Sequence, residues 1–173
     1  MPRNIEIKAR IDSVDALLPR AQALAGGKPE TMHQDDTFFR VPHGRLKLRE
    51  FDDGSAELIH YHRPDSGDAK ASDYVRVPVP DAAALREALA RGCGLLGRVR
   101  KVRVLLLVKD GGFNTRIHLD RVEGLGEFME LEVVLQNGQS DADGSQAAER
   151  LMAELGLQRA PRLAGSYNDL LQR

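Results

Sequence analysis

The chain has a single cysteine, Cys93, and no tryptophan among its 173 residues. One thiol excludes an intramolecular disulfide and any paired-cysteine metal site. An excess of charge of either sign is also missing: 25 Lys and Arg face 26 Asp and Glu. A general binder of nucleic acid or of a membrane surface is usually basic overall, so neither partner is expected. Any anion this chain binds must instead be met by a local cluster of cations. No apolar run reaches the length of a transmembrane helix. The first residues are polar and charged and lack the apolar segment of a signal peptide. The expected location is therefore the cytoplasm, and monomer and homodimer both stay open.

Apolar residues make up 42% of the chain and charged residues 29%, a globular composition. At this length residues 1–173 are expected to form a single domain around one core. The stretch Asn4-Ile5-Glu6-Ile7-Lys8-Ala9-Arg10 alternates strictly between polar and apolar residues. That is the period of a half-buried strand. Asn4, Glu6, Lys8 and Arg10 share one face, and Ile5, Ile7 and Ala9 the other.

Further along, Ser13 reads as the N-cap of a helix with apolar residues at 14, 17, 18, 21 and 24. Pro19 should bend or shorten it, and Gly26-Gly27 should stop it. Strands are expected over 33–40, 45–49, 56–63 and 72–79, with Asp52-Asp53-Gly54 as a hairpin turn. Residues 64–71 read as a mobile loop, and 81–91 as a helix capped by Asp81 and ended by Gly92. Arg98 to Val108, Phe113 to Val122 and Glu127 to Leu135 complete the strands. A helix ragged at Gly144 is expected over 140–157, and Ser166 caps a short last helix through Leu171. About eight strands, mostly joined by hairpins, predict an α+β fold: an eight-stranded closed antiparallel β-barrel with flanking helices. Closure is expected because it removes exposed strand edges.

Five strands carry alternating charge: 6/8/10, 45/47/49, 101/103, 116/118/120 and 130/132. Their apolar faces need cover, which the helices supply, so the charged faces should point at each other across the barrel. The inventory there is Lys8, Arg10, Arg45, Lys47, Arg49, Lys101, Arg103 and Arg116 against Glu6, Asp120, Glu130 and Glu132. A net positive interior is costly unless a polyanion fills it. The carboxylates would repel that polyanion unless a hard divalent cation sat between them, and oxygen ligands suit Mg²⁺ or Mn²⁺. A metal-dependent polyphosphate pocket follows.

The Glu6-x-Lys8 pair resembles the end of the Glu-x-Glu-x-Lys signature of the CYTH family. These are the class IV adenylate cyclases, thiamine triphosphatases and inorganic triphosphatases, or triphosphate tunnel metalloenzymes. Matching residues follow in order: Gln34-x-Asp36-Thr37-x-Phe39, Leu46-Lys47-Leu48-Arg49, Arg63-Pro64, Ser72-Asp73-Tyr74 and Lys101-x-Arg103. The specific block is Leu119-Asp120-x-Val122-x-Gly124-Leu125-Gly126-x-Phe128-x-Glu130-x-Glu132, followed by Ser166-Tyr167-x-x-Leu170-Leu171. The resemblance implies a triphosphate substrate such as ATP, thiamine triphosphate or tripolyphosphate. It implies Glu6, Glu130, Glu132 and Asp120 as metal ligands. Lys8, Lys47, Arg49, Lys101, Arg103 and Arg116 would grip phosphate, with Arg10, Arg45 and Arg76 added from the strand pattern. Glu6, Lys8, Glu130 and Glu132 are the expected catalytic set.

Two positions depart from the family pattern. Asn4 stands where the signature has its first Glu, and His62 stands where many members have Lys, with Arg63 expected on the opposite face. Asp120 reads alternatively as the partner of an interior Arg, and His118 as a hydrogen-bonding wall residue. A zinc pair of His60 and His62 lacks a third soft ligand. Lys70 is either solvated or a lid contact to phosphate. Asp36 and Phe39 are expected to hold the strand pairing. The leading expectation is hydrolysis of the terminal phosphate; the alternatives are an adenylate cyclase and a polyphosphate or nucleotide sensor.

Overall fold

The computed structural model describes residues 3–173. Eight strands close into an antiparallel barrel in the order β1-β5-β4-β3-β2-β6-β7-β8. They are β1 (Arg3–Arg10), β2 (Glu30–Phe39), β3 (Arg45–Phe51), β4 (Ala56–His62), β5 (Lys70–Pro78), β6 (Leu95–Asp110), β7 (Phe113–Val122) and β8 (Gly126–Leu135). The expected fold is the one observed. Most neighbours in the barrel are also neighbours in sequence, so short turns make the connections. The exceptions are β2 with β6, β1 with β8 and β1 with β5, which complete the ring.

The outer faces of β1, β6, β7 and β8 form the main core. Ile5, Ile7, Val104, Leu106, Ile117, Leu119, Leu131 and Val133 pack there under helices α1 (Val14–Leu24) and α3 (Asp141–Glu154). Ser13 caps α1 by accepting from the Ala16 amide, as expected. Pro19 lies inside the helix without ending it, and the helix stops at Leu24 before the two glycines. Gly144 does not fray α3, which runs through it. A Cβ there would lie 2.7 Å from the Leu135 side chain and 2.8 Å from that of Ile5. The glycine lets the helix settle closely onto the barrel rather than loosening it.

A second helix, α2 (Ala82–Cys93), is capped by Asp81 and covers Phe39 and Leu48 through Leu85 and Leu89. It runs past Gly92 and ends at Gly94, whose φ is 85°. The last helix, α4 (Tyr167–Leu171), starts at a Ser166–Asp169 capping box. It lies across one end of the barrel, where Tyr167 packs with Phe128, Phe38 and Val99. Gly97 makes room for it: a Cβ at that position would fall 1.9 Å from Asn168 Oδ1. No helix among the described residues is long and apolar enough to cross a membrane.

Candidate active site

Strand alternation sends Asn4, Glu6 and Lys8 inward from β1, while Ile5, Ile7 and Ala9 go to the outer core. The same parity turns Lys47 and Arg49, Lys101 and Arg103, Arg116 and His118, and Glu130 and Glu132 into the barrel. They line a cavity of about 620 Å³ together with Asp36, Tyr61, Arg63, Tyr74 and Arg76. Exposed Glu30, Asp52 and Asp53 border one end, and Tyr167 of α4 stands at the other.

One wall of the cavity is cationic. Asp36 is 1% exposed and accepts from Lys47 Nζ at 3.0 Å, Arg49 Nε and Nη2 at 2.7 Å each, and Lys101 Nζ at 3.1 Å. Burial alone would raise its pKa, but Arg49, Lys101 and Lys47 outweigh it and hold the carboxyl well below the usual range. The lysines tell the other half of this balance. Burial and the neighbouring Arg49 depress Lys47 to about 8 against the pull of Asp36. Burial likewise puts Lys101 well below its ordinary value, with Arg49, Arg103 and Lys47 adding to the effect. A single carboxylate shared by three cations is itself well satisfied and leaves each cation short of negative charge.

The opposite wall is acidic. Glu6 and Glu132 are direct cross-strand neighbours, as are Lys8 and Glu130. Like charges opposite each other in a sheet repel. Glu6 shows it: burial first, then Glu130 and Glu132, raise its pKa against the lowering effect of Arg63. Glu130 is held well below its ordinary value despite burial, by Lys8, the His118 hydrogen bond and Arg103. Lys8 Nζ lies 2.8 Å from Glu130 Oε2, and Arg116 Nη1 donates to Glu132 Oε2 at 3.1 Å. His118 Nδ1 is 3.3 Å from Glu130 Oε1 and 3.9 Å from Glu132 Oε1.

These residues fit a hard divalent ion. One donor atom each from His118, Glu130 and Glu132 lies within 4.8 Å of the others. Asn4, on the same inner face as Glu6, is 2% exposed, and its Oδ1 has no hydrogen-bond partner. An amide oxygen is a donor type that hard divalent cations accept, and this one shares the inner face of β1 with Glu6.

Three expected site residues are placed elsewhere. Arg10, at the end of β1, leaves the interior: it donates to the Leu125 carbonyl at 3.1 Å and stacks on Phe128. Arg45 binds Asp65 and Asp169 at 2.7 and 2.9 Å and ties β3 to α4 outside the cavity. Asp120 is fully buried, with both oxygens taken: Arg103 donates to each at 2.7 Å, and the Tyr167 hydroxyl adds a third bond at 2.7 Å. It serves the interior arginine, the alternative reading of the sequence.

The parity expected for the fourth strand is reversed. Glu57, Ile59, Tyr61 and Arg63 face inward, whereas His60 and His62 are exposed. Arg63 thus enters the cavity, donating to Glu6 Oε2 and to the Gly165 carbonyl at 2.7 Å each. His62 leaves no gap in the wall, because it never faces it. Sequence reading also missed Asp36 as the hub of the cations and Tyr167 as the end wall. The shared face of Gln34, Asp36 and Phe38 was a signal for the first. Nothing local signals that Tyr167, far along the chain, lies 4.1 Å under Lys8 Nζ.

The CYTH domain matches residues 2–167. Among solved structures, the barrel is similar to the PH1012 protein from Pyrococcus horikoshii, at 23% identity and TM-score 0.81 over 96% of this chain and 98% of that one. It is similar to a proposed adenylate cyclase from Vibrio parahaemolyticus, at 21% identity and TM-score 0.77 over 98% of both chains. A proposed adenylyl cyclase from Hippeastrum with a dominant triphosphatase activity aligns at 18% identity and TM-score 0.64, over 94% of this chain and 91% of that one. At such identities these likenesses speak to the fold alone. No curated protein sequence matches the chain. On the family match over nearly its whole length, carried by a closed barrel with a charged interior, the chain belongs to the CYTH family.

Proposed function

We propose that this protein is a divalent-metal-dependent triphosphatase, releasing the terminal phosphate of a triphosphate held inside the barrel. The observation that carries this reading is the cationic wall, where Lys47, Arg49 and Lys101 share the one carboxylate of Asp36. Such a cluster is completed by an anion with several oxygens, and a triphosphate chain offers them in a row.

Lys47, Arg49, Lys101 and Arg103 take the phosphate oxygens on one side, and Lys8, Arg63 and Arg116 reach from the other. Glu6, Glu130 and Glu132, with Asn4 Oδ1 and His118 in support, would hold Mg²⁺ or Mn²⁺. Bound there, such an ion neutralises phosphate charge and orients the attacking water. In the reaction a water oxygen bonds to the terminal phosphorus, and the bond from that phosphorus to its bridging oxygen breaks. Orthophosphate and the shortened diphosphate result, and the proton of the water passes to solvent. The walls supply positioning and charge neutralisation, the main sources of rate in phosphoryl transfer. Burial raises the pKa of Tyr61 and holds that of Tyr167 well above its usual value, so both phenols stay neutral as wall groups.

The test is product identification. ATP and tripolyphosphate, each with Mg²⁺ or Mn²⁺, should yield orthophosphate, and a chelator should stop release. Cyclic AMP with pyrophosphate from ATP would replace hydrolysis by cyclisation. Tight binding without product would make the protein a sensor. Glu130→Gln should abolish metal-dependent turnover; full activity in that variant removes Glu130 from the site.

A further inference from the structure

The cavity has two unlike ends. At one, Tyr167, Phe38 and Val99 line it and pack with Phe128 and Val122, all of them buried. This apolar plug, with α4 across it, gives a phosphate chain no passage, so the site fills from the other end. There the border is Glu30 at the start of β2, with Asp52 and Asp53 in the turn between β3 and β4, all three exposed. The ion pairs around them are Lys47 and Arg49 with Asp36, Arg76 with Glu57 and Arg86 with Glu50, which leave these three carboxylates unmatched among the described residues. The Ser55 hydroxyl and amide donate to Asp53 Oδ1 at 2.6 and 2.8 Å, which fixes that carboxyl at the rim and holds its pKa below the ordinary value.

A triphosphate held by Lys8, Lys47, Arg49 and Lys101 lies within the charged walls. A chain that continued through the mouth would leave them. It would run past Met32, Phe51 and Leu105, which offer no countercharge, and on between three carboxylates. Every further phosphate brings a negative charge to that rim. Two like charges about 7 Å apart in water repel enough to shift an affinity about threefold, and three carboxylates together by on the order of tenfold or more.

From the closed end and the acidic mouth together we infer that the barrel is a charge-filtered cup, which accepts a triphosphate and rejects one that continues as a polyanion, such as long-chain polyphosphate. Glu30, Asp52 and Asp53 are its specificity residues. They act on charge beyond the third phosphate and leave the grip on the first three to the cations. The inference rests on the triphosphate reading above and sets a bound on its substrate class.

Binding can be measured by calorimetry on the whole protein in chelating buffer, so that the result does not depend on turnover. The probes are tripolyphosphate and long-chain linear polyphosphate, the second titrated against bound tripolyphosphate so that only the cavity is counted. At about 0.01 M salt, tripolyphosphate should bind on the order of tenfold or more tighter per chain end. Raising the salt to about 0.3 M should shrink that preference to within about threefold, because the rim is then screened. Release of counterions alone would have the opposite sign, since the longer polyanion would lose more. Combining Glu30→Gln, Asp52→Asn and Asp53→Asn should remove most of the preference at low salt while changing tripolyphosphate affinity less than about threefold. Equal affinities per chain end in the unaltered protein would overturn the inference. So would a preference that the combined variant leaves in place, which would make the limit one of space rather than charge. Tripolyphosphate that binds neither in chelator nor with Mg²⁺ would remove the triphosphate reading itself. If the variant does not fold, the direction of the salt effect on the unaltered protein decides alone.

Discussion

Replacing Asp36 by Asn should expose the central electrostatic claim. The substitution keeps the shape of the side chain and one acceptor oxygen but removes the only carboxylate that Lys47, Arg49 and Lys101 share. The Asp36 side chain is 2% exposed, so water cannot screen the loss. Removing one partner of a buried ion pair costs about 3–5 kcal/mol. For a chain of this length each kcal/mol is worth about 2–4 °C in melting temperature, so a fall of roughly 6–20 °C is expected. The same variant should be rescued by anions. With its internal counterion gone, the cluster gains more from tripolyphosphate than the unaltered protein does. In a chelating buffer, saturating tripolyphosphate should therefore narrow the gap in melting temperature between the two proteins. Thermal melts with and without the anion provide the assay. A variant melting within about 1 °C of the parent would show that Asp36 is not the counterion. A gap that tripolyphosphate leaves unchanged would show that the cations do not form an anion site.

Two further outcomes follow from the same walls. Lys47 has a free-state pKa of about 8, lowered by burial and then by Arg49. It is therefore charged below that value and loses its grip on phosphate above it. The kcat/KM profile for tripolyphosphate should fall above about pH 8, and Lys47→Arg, which does not titrate there, should extend it to higher pH. The sign for stability is opposite. Because the folded value lies below that of the unfolded chain, the unfolded state binds more protons between them, and this group's contribution to stability rises with pH through that window. An alkaline limb that Lys47→Arg leaves in place would assign it to another group. Asn4→Glu adds a carboxylate beside Glu6, so it should lower the melting temperature in chelator and reduce the Mg²⁺ or Mn²⁺ concentration needed for half-maximal turnover. An unchanged metal-activation curve would place residue 4 outside the ligand shell.

The strand pattern made most of the site legible. Where a strand is regular, alternation alone tells which residues share a face, and 6/8, 47/49, 101/103 and 130/132 all turn inward together. The pattern failed at strand ends. Arg10 and Arg45 keep the right parity, but each is the terminal residue of its strand and finds a partner outside the cavity. It failed too on β4, where parity had to be counted from the register with β3. Arg49 pairs with Glu57 and Arg45 with Tyr61, which sets Arg63 inward and His62 outward. Asp120 has the parity of a liner, yet Arg103 and Tyr167 consume it. The chain carries their letters, but not the distance between them.

By itself, the sequence determined the local elements: the alternating strands, the capped helices and the hairpin turns, because each depends on residues within a few positions of one another. It also determined which charges share a strand face, as at 6/8, 47/49, 101/103, 116/118 and 130/132, since residues two apart in a strand point the same way. Tertiary structure alone decided which charges meet. Asp36 gathers lysines and an arginine from β3 and β6, Glu6 and Glu132 are pressed together, and Tyr167 closes the far end. Those meetings join residues up to 159 positions apart, as with Lys8 and Tyr167. The Coulomb energy that makes them matter depends on separation and burial in space, and neither is written in the order of the chain.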